Sequence, residues 1–423
     1  MSLPRYPDYK DSGVEWLGEV PGHWGVKRLK RNLSLLTEKT DRRENPVALE
    51  NIEGWTGRFI PTETEFQGDG VAFDTGDILF GKLRPYLAKA YRAESDGEAV
   101  GDFHVLRPMP DIDSRFAQYQ ILNREFIAIV DGSTFGSKMP RASWDFVGGM
   151  KVTTPPLPEQ THIAAFLDRE TAKIDELVAE QRRLMALLKE KRQAVISHAV
   201  TRGLNPHAPL KPSGIEWLGE VPEHWEVTRI GNLFRAVGEA GTDALPILSV
   251  SIHHGVSDKE IADEDMDRKV ARSEDKSKYV RVAPGDLVYN MMRAWQGGFG
   301  TVTVEGMVSP AYVVARPRRQ LHTSYIENLL RTPQAIEQMR RHSRGVTDFR
   351  LRLYWDEFKN IRIAVPPLAE AQAICERLAE MTASFAALTT ISEIAIDLLQ
   401  ERRAVLISAA VTGQIDVRGT VAA

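Results

Sequence analysis

The sequence predicts a mixed α/β protein in which two globular α/β-type domains are separated by a pair of long antiparallel coiled-coil helices, with an internal pseudo-two-fold repeat. Three observations support this fold class. A thirteen-residue segment occurs twice, as Ser12–Trp24 and Ser213–Trp225. Short apolar runs broken by turn signals follow each copy, over residues 25–154 and 226–365. Each half then ends in a long stretch with apolar residues at heptad spacing.

The repeated segment indicates that a whole module was duplicated. The copies SGVEWLGEVPGHW and SGIEWLGEVPEHW begin 201 residues apart and differ at two positions, Val14/Ile215 and Gly22/Glu223. A period of this length is far longer than the 20–50 residues typical of solenoids and propellers. We call these segments box one and box two. Their tryptophans are interpreted as anchors that bury apolar area, and base stacking is the alternative.

The composition is that of an ordinary globular protein. A length of 423 residues allows two or three domains, and a formal net charge of −4 means that an anionic partner would need local basic patches. The single cysteine, Cys375, excludes an intrachain disulfide and a zinc site built from cysteines. The start MSLPRYPDYK lacks the apolar core of a signal peptide, and no run approaches the roughly 18 apolar residues of a membrane span. We therefore expect a cytoplasmic protein.

Each globular segment is predicted to be a compact domain with a mixed sheet. A Gly-Asp turn precedes an apolar strand in both copies, within residues 71–80 and 280–289. Further strands are predicted over 99–106 and 307–315, and helices over 115–130 and 324–341. The predicted boundaries are 1–154 for box one and the first domain, 155–203 for a long helix, 204–212 for a linker, 213–365 for box two and the second domain, and 366–423 for the second long helix and tail.

The two long helices are predicted because neither copy has an insertion relative to the other over this stretch. The offset between the copies is 211 at Pro155/Pro366 and is still 211 at Thr201/Thr412, whereas one inserted residue would rotate the rest of a helix by about 100°. Heptad rows predict coiled-coil packing, and an ordinary bundle core is the alternative. The predicted interhelix residues are Ile163, Leu167, Ile174, Leu177, Leu184, Leu188, Val195, Leu378, Met381, Phe385, Leu388, Leu399 and Leu406.

The repeat also predicts how the chain closes. Box two follows the end of the first long helix. If an approximate two-fold axis relates the copies, box one lies beside the end of the second long helix, and the helices run antiparallel.

Basic residues are concentrated near the end of the second domain. Residues 316–352 contain nine arginines and three acidic residues, and clustered arginine suits phosphate neutralisation and guanine reading. A solvated helix face with scattered ion pairs is the alternative. Within this stretch, RGVTDFR (344–350) is predicted to be a loop that contacts DNA bases, which we call a reading loop. GSTFGSK (132–138) is its counterpart in the first domain. The candidate DNA-binding residues are Lys82, Arg84, Lys89, Ser133, Thr134, Lys138, Arg141, Arg293, Arg344, Thr347, Arg350 and Arg352.

No catalytic, cofactor or metal site is predicted on this chain. Residues 76–82 have the glycine and lysine spacing of a phosphate-binding loop, but Leu83 stands where a hydroxyl should hold Mg²⁺. The second copy has Asn290-Met291 in place of the glycine and lysine. His253-His254 has no ligand partner at a spacing of four residues.

An ordered set of motifs resembles the specificity subunit of type I restriction-modification systems. The set comprises EWLGEVP-x-HW, the GDIL and GDLV strands, the PPL that opens each long helix, and the exits ISHAVTRG and ISAAVTG. The resemblance covers the full chain, including its duplication.

The resemblance implies that this chain would recognise DNA while partner subunits carry out the reactions. Each globular domain would read one half of a split sequence in double-stranded DNA. The paired helices would set the unread spacer and dock two methyltransferase subunits, and translocase-nuclease restriction subunits would complete the complex. S-adenosylmethionine, ATP and Mg²⁺ are expected on those partners. A self-contained nuclease or ATP-dependent enzyme is the alternative function, and a coiled-coil scaffold without DNA contact is a third.

Overall fold

The computed structural model describes residues 3–40, 45–62, 69–136, 138–242, 244–252, 255–259, 278–345 and 350–420. Two compact units form, unit 1 from Met1–Arg182 with Ser392–Ala423 and unit 2 from Arg183–Ile391. The division cuts both long helices, Leu157–Arg202 and Leu368–Val411, so that each unit contains part of each helix. The predicted mixed α/β class and the two long helices are confirmed.

Unit 1 consists of short strands and helices. Its short helices are Ser114–Ile121, Arg124–Gly132 and Trp144–Gly149. Its strands are Tyr9–Asp11, Glu19–Pro21, Gly25–Arg28, Leu33–Leu36, Lys39–Thr40, Pro46–Val47, Gly70–Phe73, Ile78–Gly81, Ala90–Arg92, Gly97–Val100, Phe103–Pro108 and Lys151–Thr154.

Unit 2 has a similar sequence of elements, with one more short α-helix among the described residues. Its short helices are Ile230–Leu233, Thr323–Leu330, Pro333–His342 and Trp355–Phe358. Its strands, among the described residues, are Leu210–Pro212, Glu220–Pro222, Glu226–Arg229, Phe234–Val237, Val250–Ser251, Gly255–Val256, Val280–Val282, Leu287–Asn290, Phe299–Thr301, Gly306–Val308, Tyr312–Pro317 and Arg362–Val365.

The same four-stranded antiparallel sheet occurs in both units. In unit 1 the order of strands is Leu33–Leu36, Phe103–Pro108, Ile78–Gly81 and Ala90–Arg92. In unit 2 it is Phe234–Val237, Tyr312–Pro317, Leu287–Asn290 and Phe299–Thr301. A second sheet of unit 1 contains one parallel pairing, Glu98 with Pro46, so the mixed character is present there.

Several predicted elements are divided in two. The predicted strand 99–106 is interrupted at Gly101, whose φ of +96° makes a tight turn. The predicted helix 115–130 restarts at Asn123, whose side chain accepts hydrogen bonds from Glu125 N and Phe126 N. The predicted helix 324–341 likewise restarts at the N-cap Thr332. Hydrophobic periodicity continues across these caps, which is why the sequence pattern merged the elements.

The aspartate of each Gly-Asp turn is a buried structural group. Asp77 is 3% exposed and accepts hydrogen bonds from the Nε and Nη2 of Arg107, and the first of these is 2.9 Å long. Asp286 is 1% exposed and binds Arg316 in the same way, at 3.0 Å. This pair ties the turn before one strand to the neighbouring strand in both units.

Each box is held against the start of a long helix. Trp24 is fully buried in unit 1, where His23 lies 2.8 Å from Glu159 in the first turn of the first long helix. In unit 2 the buried Trp225 donates from Nε1 to Glu370, in the first turn of the second long helix. Burial of Trp24 and Trp225 agrees with the anchor interpretation and leaves no face of either ring for base stacking, whereas Trp16 and Trp217 are half-buried.

Box one lies beside the end of the second long helix, as the repeat predicts. The hydroxyl of Tyr9 donates to the carbonyl of Gly413 at 3.0 Å, and Asp416 N donates to the carbonyl of Pro4. A Cβ on Gly413 would lie 2.3 Å from Cδ of Pro21. Only glycine therefore fits this contact, which also needs a φ of +79°.

The helices run antiparallel within each unit. In unit 1, Ile163 near the start of the first long helix shares a buried cluster with Ile407 near the end of the second. In unit 2, Val200 near the end of the first shares a cluster with Ile374 near the start of the second.

Three of the predicted interhelix residues lie at the surface. Leu177, Leu184 and Leu388 are 50%, 44% and 47% exposed. Val178 is buried where Leu177 was expected, because a helix with 3.6 residues per turn drifts about 20° per heptad away from a strict seven-residue row. The remaining predicted residues are buried (Ile163, Leu167, Ile174 and Leu378) or half-buried (Leu188, Val195, Met381, Phe385, Leu399 and Leu406).

The second long helix is more apolar than expected. It contains an 18-residue window with mean hydropathy 1.3, of which 6% is buried, so by length and composition it could cross a membrane. The expectation that no uninterrupted run approaches about 18 apolar residues is not contradicted, because this window reaches its mean hydropathy through alanines, leucines and isoleucines that polar residues interrupt.

A buried ion pair joins the two long helices in unit 1. Arg403 is 8% exposed, and its Nε donates to Asp175 at 3.0 Å while Nη1 donates to the carbonyl of Trp55 at 2.8 Å. Arg58 lies 3.7 Å from the same carboxylate. The pair therefore also holds a loop of the globular part of unit 1 against the helices.

We expect Arg403→Ala to lower the free energy of unfolding by about 3 kcal/mol, because it leaves Asp175 half-paired in a poorly solvated site. The control is Arg192→Ala at the equivalent, exposed position of the repeat, which should change it by less than about 0.5 kcal/mol. Urea unfolding followed by circular dichroism measures both. Equal losses would contradict a structural role for the Arg403 pair.

Candidate nucleic-acid interface

Each of the predicted reading loops is closed by an antiparallel backbone bridge. In unit 1 the loop is closed by an antiparallel bridge in which Phe135 and Arg141 exchange backbone hydrogen bonds of 3.4 and 3.2 Å. In unit 2, Arg344 and Arg352 exchange two backbone hydrogen bonds, each 2.9 Å long. The bridges make Phe135 equivalent to Arg344, so the two segments named as counterparts from the sequence do correspond, with the first segment placed three residues too early.

Each loop ends against the segment that follows the Gly-Asp strand. Ala142 N donates to the carbonyl of Lys82 at 2.9 Å, and Leu353 N donates to the carbonyl of Met291 at 2.9 Å. Arg141 and Arg352 are therefore equivalent positions. Five residues separate the bridge partners in unit 1 and seven in unit 2. The offset between the copies is therefore 209 at Phe135/Arg344 and 211 at Arg141/Arg352, so the two additional residues of unit 2 lie inside this loop.

The structure brings Lys82, Arg84 and Arg141 of unit 1 together, and Lys138 belongs to the same loop. Arg141 donates from Nε and Nη2 to the two carboxylate oxygens of Asp102, at 3.1 and 2.8 Å. Lys82 Nζ lies 3.8 Å from the same carboxylate. Arg84 and Lys138 are exposed near the loop base, where Arg84 N donates to the carbonyl of Pro140. The hydrogen bond from Arg141 lowers the pKa of Asp102, which keeps it ionised.

Three predicted residues of unit 1 are engaged in the fold. Lys89 donates from Nζ to the carbonyl of Leu49 at 2.6 Å, and burial lowers its pKa. The hydroxyls of Ser133 and Thr134 donate at 2.7 and 2.8 Å to carbonyls in the last turn of the preceding helix. Lys89 is therefore a structural lysine, whereas the two hydroxyl oxygens still have acceptor capacity.

In unit 2, the predicted residues Arg344 and Arg352 form the bridge that closes the second loop. Arg344 has a side chain that is 72% exposed and contacts the carboxylate of Glu357. Arg350 and Arg352 are exposed, and Arg293 is half-buried. Thr347 lies outside the described residues.

The arginine-rich stretch of the sequence does not form one basic patch. Among pairs that join described residues, five of its nine arginines lie within 4.0 Å of a carboxylate: Arg316, Arg319, Arg331, Arg341 and Arg344. The fold supplies acidic partners from outside the stretch, among them Asp286, Glu226 and Glu357. A count along the sequence could not include them, so the alternative of scattered ion pairs holds for most of this stretch.

Exposed apolar side chains that sequence reasoning missed accompany the cations. Phe135 and Met139 in the loop of unit 1 are 64% and 48% exposed, and Tyr86 is 47% exposed after Arg84. In unit 2, Met292 and Tyr354 are 42% and 43% exposed. Aromatic and basic side chains on one surface suit sugar, base and phosphate contacts. Their position beside basic residues was the available sequence signal.

The phosphate-loop interpretation of residues 76–82 is excluded by the fold. Residues Ile78–Gly81 form a fully buried central strand. Among the described residues, no group of three or more His, Cys, Asp or Glu side chains is arranged to hold a metal ion.

The curated relatives that match this chain are named as specificity subunits of type I restriction enzymes. The EcoDI specificity subunit of a type I restriction enzyme from Escherichia coli is 26% identical over 192 residues, 43% of each chain. The MjaVIII type I specificity subunit from Methanocaldococcus jannaschii is 23% identical over 237 residues, 50% of this chain and 49% of that one. The chain thus spans about half the length of the curated relatives it matches. No protein-family model matches the sequence.

Solved structures show the same fold over nearly the whole chain. A chain from a structure of a type I R-M system aligns with a TM-score of 0.67 and 17% identity, covering 92% of this chain and 98% of that one. The HsdS subunit from Thermoanaerobacter tengcongensis aligns with a TM-score of 0.52 and 17% identity, covering 93% and 98%. The resemblance predicted from the motifs is confirmed.

Two arginine–aspartate pairs of unit 1 should differ in their effect on stability. Arg107→Ala leaves the buried Asp77 without its partner, so we expect a loss of about 2 kcal/mol in the free energy of unfolding. Arg141→Ala should shift the urea midpoint less, because the carboxylate of Asp102 is 23% exposed and keeps Lys82 beside it, whereas Asp77 is 3% exposed. A larger shift for Arg141→Ala would show that its pair with Asp102 serves the fold.

Proposed function

We propose that this chain is the specificity subunit of a type I restriction-modification complex, a DNA-reading protein of the cytoplasm without a catalytic centre of its own. The observation that carries the proposal is the backbone bridge that closes a loop in both units, next to the segment that follows the Gly-Asp strand, with cations and exposed aromatic side chains beside it. The similarity to type I specificity subunits supports it independently.

Each unit would read one half of a bipartite target in double-stranded DNA. The two loops differ in length, and equivalent positions carry different chemistry, such as Lys82 in unit 1 and Met291 in unit 2. Two surfaces with different donors and acceptors would select different bases. The target is therefore expected to have two unlike half-sites, with an unread spacer set by the long helices.

The individual residues would divide between positioning and reading. Arg84 and Lys138, exposed beside the loop of unit 1, suit contacts to phosphates, which hold the protein in register without reading sequence. Arg141 and Arg352 at the loop bases suit base edges. Methyl transfer from S-adenosylmethionine would take place on two methyltransferase subunits, and ATP and Mg²⁺ would act on restriction subunits.

The long helices would dock those methyltransferase subunits. On the second long helix, Ile391, Ile394, Leu398 and Val405 are 62%, 53%, 60% and 59% exposed. Apolar side chains in such a series along one helix are typical of a surface that another protein covers. Apolar helices of the partner subunits would cover it, and a membrane is the competing occupant.

The test of the whole proposal is methylation mapping. In cells that express this chain with its methyltransferase partner, methylated sites should share two short sequences at a fixed spacing. Residues 25–154 begin and end on one antiparallel pair, Gly25–Arg28 with Lys151–Thr154, so exchange for a relative's segment should change one half-site only. Methylation without a recurring bipartite sequence would overturn the proposal, as would methylation or cleavage by the purified chain alone when it is supplied with S-adenosylmethionine, ATP and Mg²⁺.

Charge on the apolar helix surface should prevent assembly. We expect Ile391→Glu combined with Leu398→Glu to abolish co-purification of the methyltransferase subunit, because the partner would have to bury two carboxylates. The control is Phe146→Glu, an equally apolar and 42% exposed residue of a short helix in unit 1. Binding of the unmodified chain to phosphatidylcholine vesicles, with assembly unaffected by the double variant, would favour a membrane instead.

A further inference from the structure

We propose that Arg141 reads a guanine in the half-site bound by unit 1, and that Asp102 is the positioning residue that fixes its guanidinium group. This inference rests on the proposed DNA-reading function and specifies the base edge that one residue recognises.

The ion pair with Asp102 leaves N–H donors of Arg141 available to bind guanine. Nε and Nη2 of Arg141 each donate one hydrogen to Asp102, at 3.1 and 2.8 Å. An arginine has five N–H donors in a planar fork, so three remain. The free edge, formed by Nη1 and the second hydrogen of Nη2, presents two parallel donors. These match the O6 and N7 acceptors of guanine in the major groove.

The backbone around Arg141 is fixed on both sides. It pairs with Phe135 across the loop and with Leu83 on the strand side. Asp102 is fixed as well, since its carbonyl accepts a hydrogen bond from Lys82 N at 2.9 Å. A reading side chain on a rigid base loses little conformational entropy when it binds.

The exposure and charge of Arg141, Asp102 and Lys82 agree with recognition of a base by Arg141. The carboxylate of Asp102 is 23% exposed and the side chain of Arg141 is 39% exposed, so the guanidinium lies further out than its partner. Lys82 lies near the same carboxylate, and the cluster therefore keeps a net positive charge towards DNA. A carboxylate below an arginine orients it without blocking its outer edge.

Unit 2 lacks this arrangement. Met291 N donates to the carbonyl of Ala311 at 3.4 Å, which makes Ala311 the equivalent of Asp102 and places no carboxylate there. Arg352, the equivalent of Arg141, has no ion pair with a carboxylate among the described residues. Recognition of guanine by an arginine that a carboxylate holds in place is therefore assigned only to the half-site bound by unit 1.

The test uses the complex of this chain with its methyltransferase subunits and duplexes in which each base pair of the mapped target is substituted in turn. In the unmodified complex, one guanine of half-site 1 should be strongly preferred. Arg141→Ala should reduce that preference by about 5- to 150-fold, the range of a good bidentate contact. Arg141→Lys should also lose it, because lysine keeps the charge without the planar fork. Asp102→Asn should weaken the preference at the same base by a smaller factor.

Two controls separate reading from other effects. Half-site 2 preferences should be unchanged in every variant, which shows that the complex is folded and assembled. Arg84→Ala should lower affinity for all duplexes alike and reduce the salt slope by about one, as expected of a phosphate contact.

Either of two results would overturn the inference: unchanged base preferences in Arg141→Ala, or an equal loss of affinity for every duplex. If Arg141→Ala does not assemble, Arg141→Lys and Asp102→Asn decide between these outcomes. Absence of any sequence preference in the unmodified complex would instead contradict the proposed function itself.

Discussion

The antiparallel packing of helix segments from distant parts of the chain is the constraint on which each unit depends. Unit 1 buries residues of 157–182 against residues of 392–411, and unit 2 does the same with 183–202 and 368–391. Neither unit can form its helical core from one continuous stretch of sequence. The apolar area removed from water there, at about 25 cal/mol per Å², therefore depends on both long helices being formed.

The ends of these helices are completed by polar contacts from the globular parts. Thr153 donates its hydroxyl hydrogen to the carbonyl of Val411 at 2.6 Å, and Tyr325 donates to the carbonyl of Val200 at 2.7 Å. The last carbonyls of a helix have no partner within it. Each globular part thus satisfies the end of a helix that begins elsewhere in the chain, which couples the sheet to the helices in the same unit.

A fixed frame of this kind allows the loops to differ. The sheet order, the buried Gly-Asp turn and the boxes are the same in both units, whereas the loops differ in length and Asp102 is replaced by Ala311. Mutations in an exposed loop closed by its own bridge change few core contacts. A change in the proposed reading chemistry therefore costs little stability.

The sequence by itself determined the duplication, the two long helices, the meeting of box one with the end of the second helix, and the location of both loops, because each of these follows from local patterns or from the repeat. Only the tertiary structure decided which charges are free. Lys89 turns inward to a carbonyl, Arg316 is held by Asp286, and Arg141 gains Asp102 from 39 positions away. Such pairs join residues far apart in the chain, and no local pattern encodes which charges will meet. The tertiary structure also placed Leu177 at the surface, since a small drift per turn accumulates over a long helix.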